Sequence, residues 1–161
     1  MEKLKIYLDT SVISHLEHPD APEKMRDTQM LWALLRKDLH DVVISEATLE
    51  ELNRCAEPKR SHLRDMLSQV FYILIPSDAA TVALAEKFID FGILRQKSFD
   101  DCRHIAAALV SGCDVILSWN FKHIVNHKTI SGVKQVSVTE GFHDLMIYTP
   151  TFLIGAEEDD P

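Results

Sequence analysis

Leu4-Lys5-Ile6-Tyr7-Leu8-Asp9-Thr10-Ser11 decides the fold. A short apolar run breaks off at a carboxylate followed by two hydroxyl residues, which reads as a buried strand delivering Asp9 to its C-terminal end. Open α/β sheets take their ligands at that end of their strands. What else arrives there becomes the functional question.

The same apolar pattern recurs in Asp41-Val42-Val43-Ile44-Ser45, Phe71-Tyr72-Ile73-Leu74-Ile75 and Asp114-Val115-Ile116-Leu117-Ser118, and Gly132 precedes a fifth expected strand, Val133 to Val138. Helical segments are expected between them. They run from Ser11 to Glu17, from Glu23 to Leu39, from Glu46 to Asn53 behind a Ser45 cap, and from Pro58 to Gln69. Pro76-Ser77-Asp78 opens another that ends near Gly92, Phe99 to Ser111 is stopped by Gly112, and Thr139-Glu140 starts a last one to Leu145. This alternation predicts an α/β fold with a central, mostly parallel five-stranded sheet flanked by helices. One domain is expected over residues 1–147, with 148–161 as a C-terminal extension whose acidic end, Glu157 to Asp160, is expected to be flexible.

A chain of 161 residues, 46% hydrophobic and 26% charged, suits one soluble domain. Its apolar runs are too short to span a membrane and nothing at the start reads as a secretion signal, so a cytoplasmic location is expected. Cys55, Cys102 and Cys113 form no CxxC pair and read as packing thiols. A net charge of −8 argues against holding nucleic acid by a broad basic surface. A carboxylate cluster neutralised by bound cations would contribute to that same charge and still face a phosphate.

Acids or amides stand at four strand exits or helix entrances: Asp9, the pair Glu50 and Glu51, the pair Asp100 and Asp101, and Asn120. In a parallel sheet these lie along one edge. Asp9, Glu51, Asp101 and Asn120 therefore suit a site for Mg²⁺ or Mn²⁺, which prefer oxygen ligands and can activate water against a phosphodiester. Each residue also has a plainer reading: Asp9 as a helix cap, Glu50 and Glu51 as solvated acids, Asp101 as part of a capping box, Asn120 as a turn residue. Their joint occurrence on one edge tips the balance. GxSxG, glycine-rich phosphate-loop and HExxH patterns are absent from the sequence. His104 reads as a packed helix residue, while Lys122 and His123 are candidates to touch phosphate.

Four segments carry a family pattern: Tyr7-Leu8-Asp9-Thr10-Ser11-Val12, Ser45 to Leu52, Phe99-Asp100-Asp101-Cys102-Arg103-His104-Ile105-Ala106-Ala107-Ala108, and Leu117-Ser118-Trp119-Asn120-Phe121. In order and spacing the chain resembles the PIN domain from about Lys3 to Leu145, and Trp119-Asn120-Phe121-Lys122-His123 resembles a subgroup of it. The resemblance implies a ribonuclease using Mg²⁺ or Mn²⁺, with Asp9, Glu51 and Asp101 as the acids and Thr10 or Ser11 supporting Asp9. Most of the family has aspartate where this chain has Asn120, which would weaken a second metal. A VapC-like toxin would also imply an RNA substrate, a homodimer and a small antitoxin. The helix from Glu23 to Leu39, with Trp32, is a candidate surface for either protein contact, or simply a cover for the sheet. The competing function is a PIN-fold module that binds protein or RNA and has lost efficient catalysis.

Overall fold

A computed structural model of the chain describes residues 2–158. Strands β1 (Lys5–Leu8), β2 (Asp41–Ser45), β3 (Tyr72–Ile75), β4 (Val115–Leu117) and β5 (Met146–Tyr148) form one sheet in the order β3-β2-β1-β4-β5. Every neighbouring pair is parallel, with Tyr7 opposite both Val43 and Ile116. β1 is thus the central strand, and all strand C-termini share one edge.

Helices α1 (Thr10–Ser14), α2 (Pro22–Leu35), α3 (Glu46–Asn53), α4 (Lys59–Leu67), α5 (Ala79–Asp90), α6 (Phe99–Val110), α7 (His127–Glu140) and α8 (Thr151–Glu158) cover the sheet, with a 3-10 turn at His15–Glu17. Both faces of β1, β2 and β4 are buried, so these inner strands read as unbroken apolar runs rather than alternating ones, whereas the edge strand β3 is exposed. The alternation reappears in which side each residue serves. Ile6, Leu8, Val42, Ile44, Val115 and Leu117 pack with α1, α2 and α4, while Tyr7, Val43, Ile116 and Ile147 pack with α5, α6 and α7. Ala106, Ala107 and Ala108 are completely buried, and these short side chains let α6 lie close to the sheet.

The segment expected as the fifth strand is helical. Val133 to Val138 lies inside α7, and the last strand is Met146–Tyr148, beyond the expected helix from Thr139 to Leu145. Val133, Val136 and Val138 look like a strand's alternation, but Thr129, Gly132, Val133, Val136 and Ser137 are the buried ones, a helical stripe, and Val138 is exposed. The Asn126 side chain accepts from the Thr129 N–H to start the helix, and Gly141, at φ 78°, ends it. Residues beyond 147 also continue into structure: Tyr148 closes β5, and Leu153 and Ile154 of α8 are buried. Of the acidic end, Asp159 and Asp160 lie outside the described residues.

Trp32 is not a surface residue. It is 1% exposed, and its Nε1–H donates to the Met66 carbonyl, so this part of α2 covers the sheet. All three cysteines are free; burial pushes the Cys102 thiol up to about 12 and the Cys113 thiol to about 11, as expected of packing residues.

Gly132 tests the α7 assignment, because a Cβ there would lie 2.6 Å from Ile93 Cγ1. Gly132→Ala is expected to lower stability by about 1–3 kcal/mol in urea unfolding despite alanine's better helix propensity. In an Ile93→Ala background, which lacks all three atoms nearest that Cβ, the cost of Gly132→Ala should be smaller.

Candidate active site

Asp9 follows the central strand directly and is 3% exposed. Its Oδ1 accepts from Ser11 Oγ at 2.5 Å and from the Val12 N–H at 3.3 Å, and its Oδ2 accepts from Ser118 Oγ at 2.6 Å. It is therefore both the cap of α1 and a buried carboxylate. Burial raises its pKa, against the pull of His104 and of the Ser11 and Ser118 hydroxyls.

Asp101 stands in the first turn of α6, a quarter or less exposed, where Asn120 Nδ2 (3.3 Å) and His123 Nδ1 (3.0 Å) bond its two oxygens. Burial raises this carboxyl too; the Asp9 charge adds to the rise while His123 and His104 oppose it. Asn120 Oδ1 accepts from the His123 N–H at 2.9 Å. A carbonyl oxygen must fill that acceptor role, so the Asn120 amide presents its NH₂ to Asp101, a neutral donor beside a carboxylate.

Glu51 lies on α3, and its Oε1 is 2.6 Å from His104 Nε2. Its neighbour Glu50 is drawn off by Arg103, which also reaches Asp100 and Ser77. At about 100° per residue adjacent helical side chains cannot share a direction, and here each has found a different partner on α6.

His104 is 2% exposed and joins what the sequence keeps apart. Its Nδ1 is 2.7 Å from the Tyr7 hydroxyl, which in turn lies 2.7 Å from Ser45 Oγ, and Thr10 Oγ1 is 3.4 Å from Nε2. Burial alone would lower its pKa, but Tyr7, Glu51 and Asp9 outweigh it and hold the imidazole up at about 10. At neutral pH both ring nitrogens then donate, so Tyr7 accepts from Nδ1–H and passes its own proton to Ser45. A simple packed-residue reading misses this role. The available signal was spacing: three residues after Asp101 on a helix, His104 had to share its general face.

The structure thus brings Asp9, Asp101 and Asn120 into one electrostatic neighbourhood, with Glu51 joined to it through His104. Thr10 and Ser11 lie beside it, Ser11 on Asp9 and Thr10 on His104. His123 touches Asp101, and exposed Lys122 lines the adjoining cleft of about 370 Å³ together with Arg95, Lys97 and Lys128. The donors are all hard oxygens, and two buried acids repel each other, which suits a divalent cation. Among the described residues, however, no three His, Cys, Asp or Glu side chains stand close enough together to hold one. Histidines and hydroxyls of the chain itself bond the acids.

The model of the PIN domain family matches residues 6–122. The chain belongs to the PIN domain family. Two solved PIN-fold relatives share its architecture at low identity. Mycobacterium tuberculosis VapC20, a toxin that cleaves the sarcin-ricin loop, aligns with a TM-score of 0.58 and 17% identity over 74% of this chain and 92% of its own. VapBC2 from Rickettsia felis, solved with a DNA fragment from its promoter, aligns at 0.54 and 14% over 89% and 97%. None of the curated proteins matches the sequence. No helix among the described residues of this PIN domain is long and apolar enough to cross a membrane.

The raised pKa of His104 makes a signed prediction. A group protonated more tightly in the folded chain stabilises it fully below its unfolded value near 6.5, and that contribution is lost as pH rises toward about 10. The melting temperature should fall across that window. In His104→Gln the decline should be shallower, as measured by thermal unfolding at closely spaced pH values.

Proposed function

We propose that this PIN domain is an endoribonuclease that hydrolyses RNA phosphodiester bonds with Mg²⁺ or Mn²⁺, in the toxin role of a toxin–antitoxin pair. The observation that carries the reading is the gathering of Asp9, Asp101, Asn120 and the His104-held Glu51 at the carboxyl edge of a PIN sheet. PIN-domain nucleases generally use divalent ions, and the VapC20 and VapBC2 likenesses support the toxin role. Its partners would be an RNA substrate, a small antitoxin and a second copy of the chain, in the cytoplasm.

Asp9, Asp101 and Glu51 would have to close in on the ion together, since among the described residues no three such side chains stand close enough to hold it as they are, with Asn120 as a neutral neighbour. Such an ion supplies an activated water and neutralises charge on the phosphate. The chain's own residues do the rest. Ser11 and Ser118 fix both oxygens of Asp9, and Thr10 lies against the histidine that holds Glu51. Through Tyr7 and Ser45, that histidine is anchored to β1 and the end of β2, so Glu51 is aimed by the rigid sheet rather than by a loop. Lys122 and His123 would receive the phosphate from the basic cleft, offsetting the repulsion between an acidic pocket and an anionic strand.

One observation favours a second reading, a binding module with weak catalysis: Asn120 turns a donor toward Asp101, and His123 takes the other oxygen. Metal affinity separates the two. A Mn²⁺ site measured by calorimetry and lost in Asp101→Asn supports the nuclease, and no binding at millimolar metal supports the module.

Asp9→Asn should abolish cutting of single-stranded RNA while its melting temperature in EDTA stays equal to or above that of the parent, because the substitution removes a buried charge that desolvation disfavours. Cleavage at the parent's rate by identically prepared variant would refute the assignment.

A further inference from the structure

The loop leaving the acid edge carries something the nuclease reading does not use. Trp119 is buried, pinned by Nε1–H to Thr28 Oγ1 at 2.8 Å, but Phe121, two residues on, is 49% exposed. Its ring centroid is 6.5 Å from that of Trp119. Lys24 Nζ lies 5.2 Å from the Phe121 centroid and 5.7 Å from the Trp119 centroid, within cation–π range of both. On the other side of Trp119 stand two imidazoles, His15 at 6.1 Å and His18, which packs against His15 at 4.6 Å.

This is a basic cluster on an acidic chain. Burial holds the His15 imidazole below its ordinary pKa against the pull of the Ser11 carbonyl, and the neighbouring His18, Lys24 and Lys59 lower it further. Lys24 and Lys59 are therefore close enough to be felt at one ring. The chain's net charge is −8, so lysine charge beside an exposed aromatic ring is a local reversal of sign.

The cluster is also tied to the acids. Ser11 Oγ, which donates to Asp9 Oδ1, accepts the Trp119 N–H at 2.9 Å, and the Ser11 carbonyl accepts from His15 Nδ1 at 2.6 Å. That bond fixes the proton on Nδ1 and leaves Nε2 of His15 to other partners. Asn120, next to Phe121 in the chain, bonds Asp101. Trp119 is thus connected to Asp9 through Ser11, and the next residue, Asn120, bonds Asp101 directly.

We propose that Phe121, with Lys24 against its ring and the His15 and His18 imidazoles beyond Trp119, is a nucleotide subsite in which one unpaired base of a single-stranded RNA stacks on the Phe121 ring while a flanking phosphate meets Lys24. Stacking on an aromatic face within a positive setting is how proteins hold single strands without reading sequence, because every base has a π-face. The subsite rests on the ribonuclease reading and specifies it: the substrate is unpaired where it crosses the edge of the sheet, and the neighbouring nucleotide, not the scissile one, is gripped by the ring.

The test uses the full chain in EDTA, so that binding is read without cleavage, against a fluorescent single-stranded RNA 20-mer of random sequence and a blunt RNA duplex. Phe121→Ala should weaken single-strand binding about tenfold, leave the salt dependence unchanged, and leave duplex binding and melting temperature as in the parent. Phe121→Trp should restore the affinity, which a loss of loop structure would not allow. Lys24→Met should instead reduce the salt slope by about one. Single-strand affinity of Phe121→Ala within twofold of the parent, or no rescue by tryptophan, overturns the subsite. If the parent nevertheless cuts RNA with Mn²⁺, the ribonuclease reading survives that result. If the parent neither binds nor cuts RNA, the ribonuclease reading falls and takes the subsite with it.

Discussion

A carboxylate at the end of the central strand, almost wholly withdrawn from water, is the constraint around which this structure is arranged. Asp9 can remain there because hydroxyls reach it from both sides of β1, Ser11 from the chain ahead and Ser118 from the end of β4. Each is a neutral donor, so hydrogen bonding is satisfied while charge is not. The edge is left with an electrostatic deficit that histidines meet in part. His104 answers Glu51 and feels Asp9, and His123 answers Asp101.

The parallel sheet is what makes this gathering possible from residues scattered between positions 9 and 123. Each strand delivers its C-terminus to the same line, and the helices that follow β1 and β2 start there. α6 then brings Asp101 and His104 down onto that line from one face. Buried Ala106, Ala107 and Ala108 lower the whole helix toward the strands, which brings His104 within 2.7 Å of a tyrosine on β1. Close helix packing and acid positioning are here one event.

Four strands and the helices as far as α6 were legible because each rests on a local pattern, an apolar run ending in a polar residue or a capped helical stripe. The fifth strand was not. Val133, Val136 and Val138 can satisfy a period of two and a period near 3.6 over so few residues, and only the contact of Gly132 with Ile93 and the burial of Ser137 separate the readings. The place of Asn120 at the end of β4 was legible but not its orientation, which depends on a backbone N–H three residues later. His104 was visible but undervalued, since its partners Tyr7 and Glu51 are 97 and 53 positions away. Trp32 had two open readings, a contact surface or a cover for the sheet, and tertiary packing chose the second for it.

The chain has two tryptophans, and they differ in a useful way. Trp32 sits in the interior with its indole proton on a main-chain carbonyl, while the main chain of Trp119 is one hydroxyl away from Asp9 through Ser11 and its indole proton rests on Thr28. Indole emission responds to the local electric field. The molecule therefore carries its own optical gauge, one chromophore remote from the acids as an internal reference and the other on the loop that leaves them, so that a change of charge at the acidic edge is read as a shift in emission without any label.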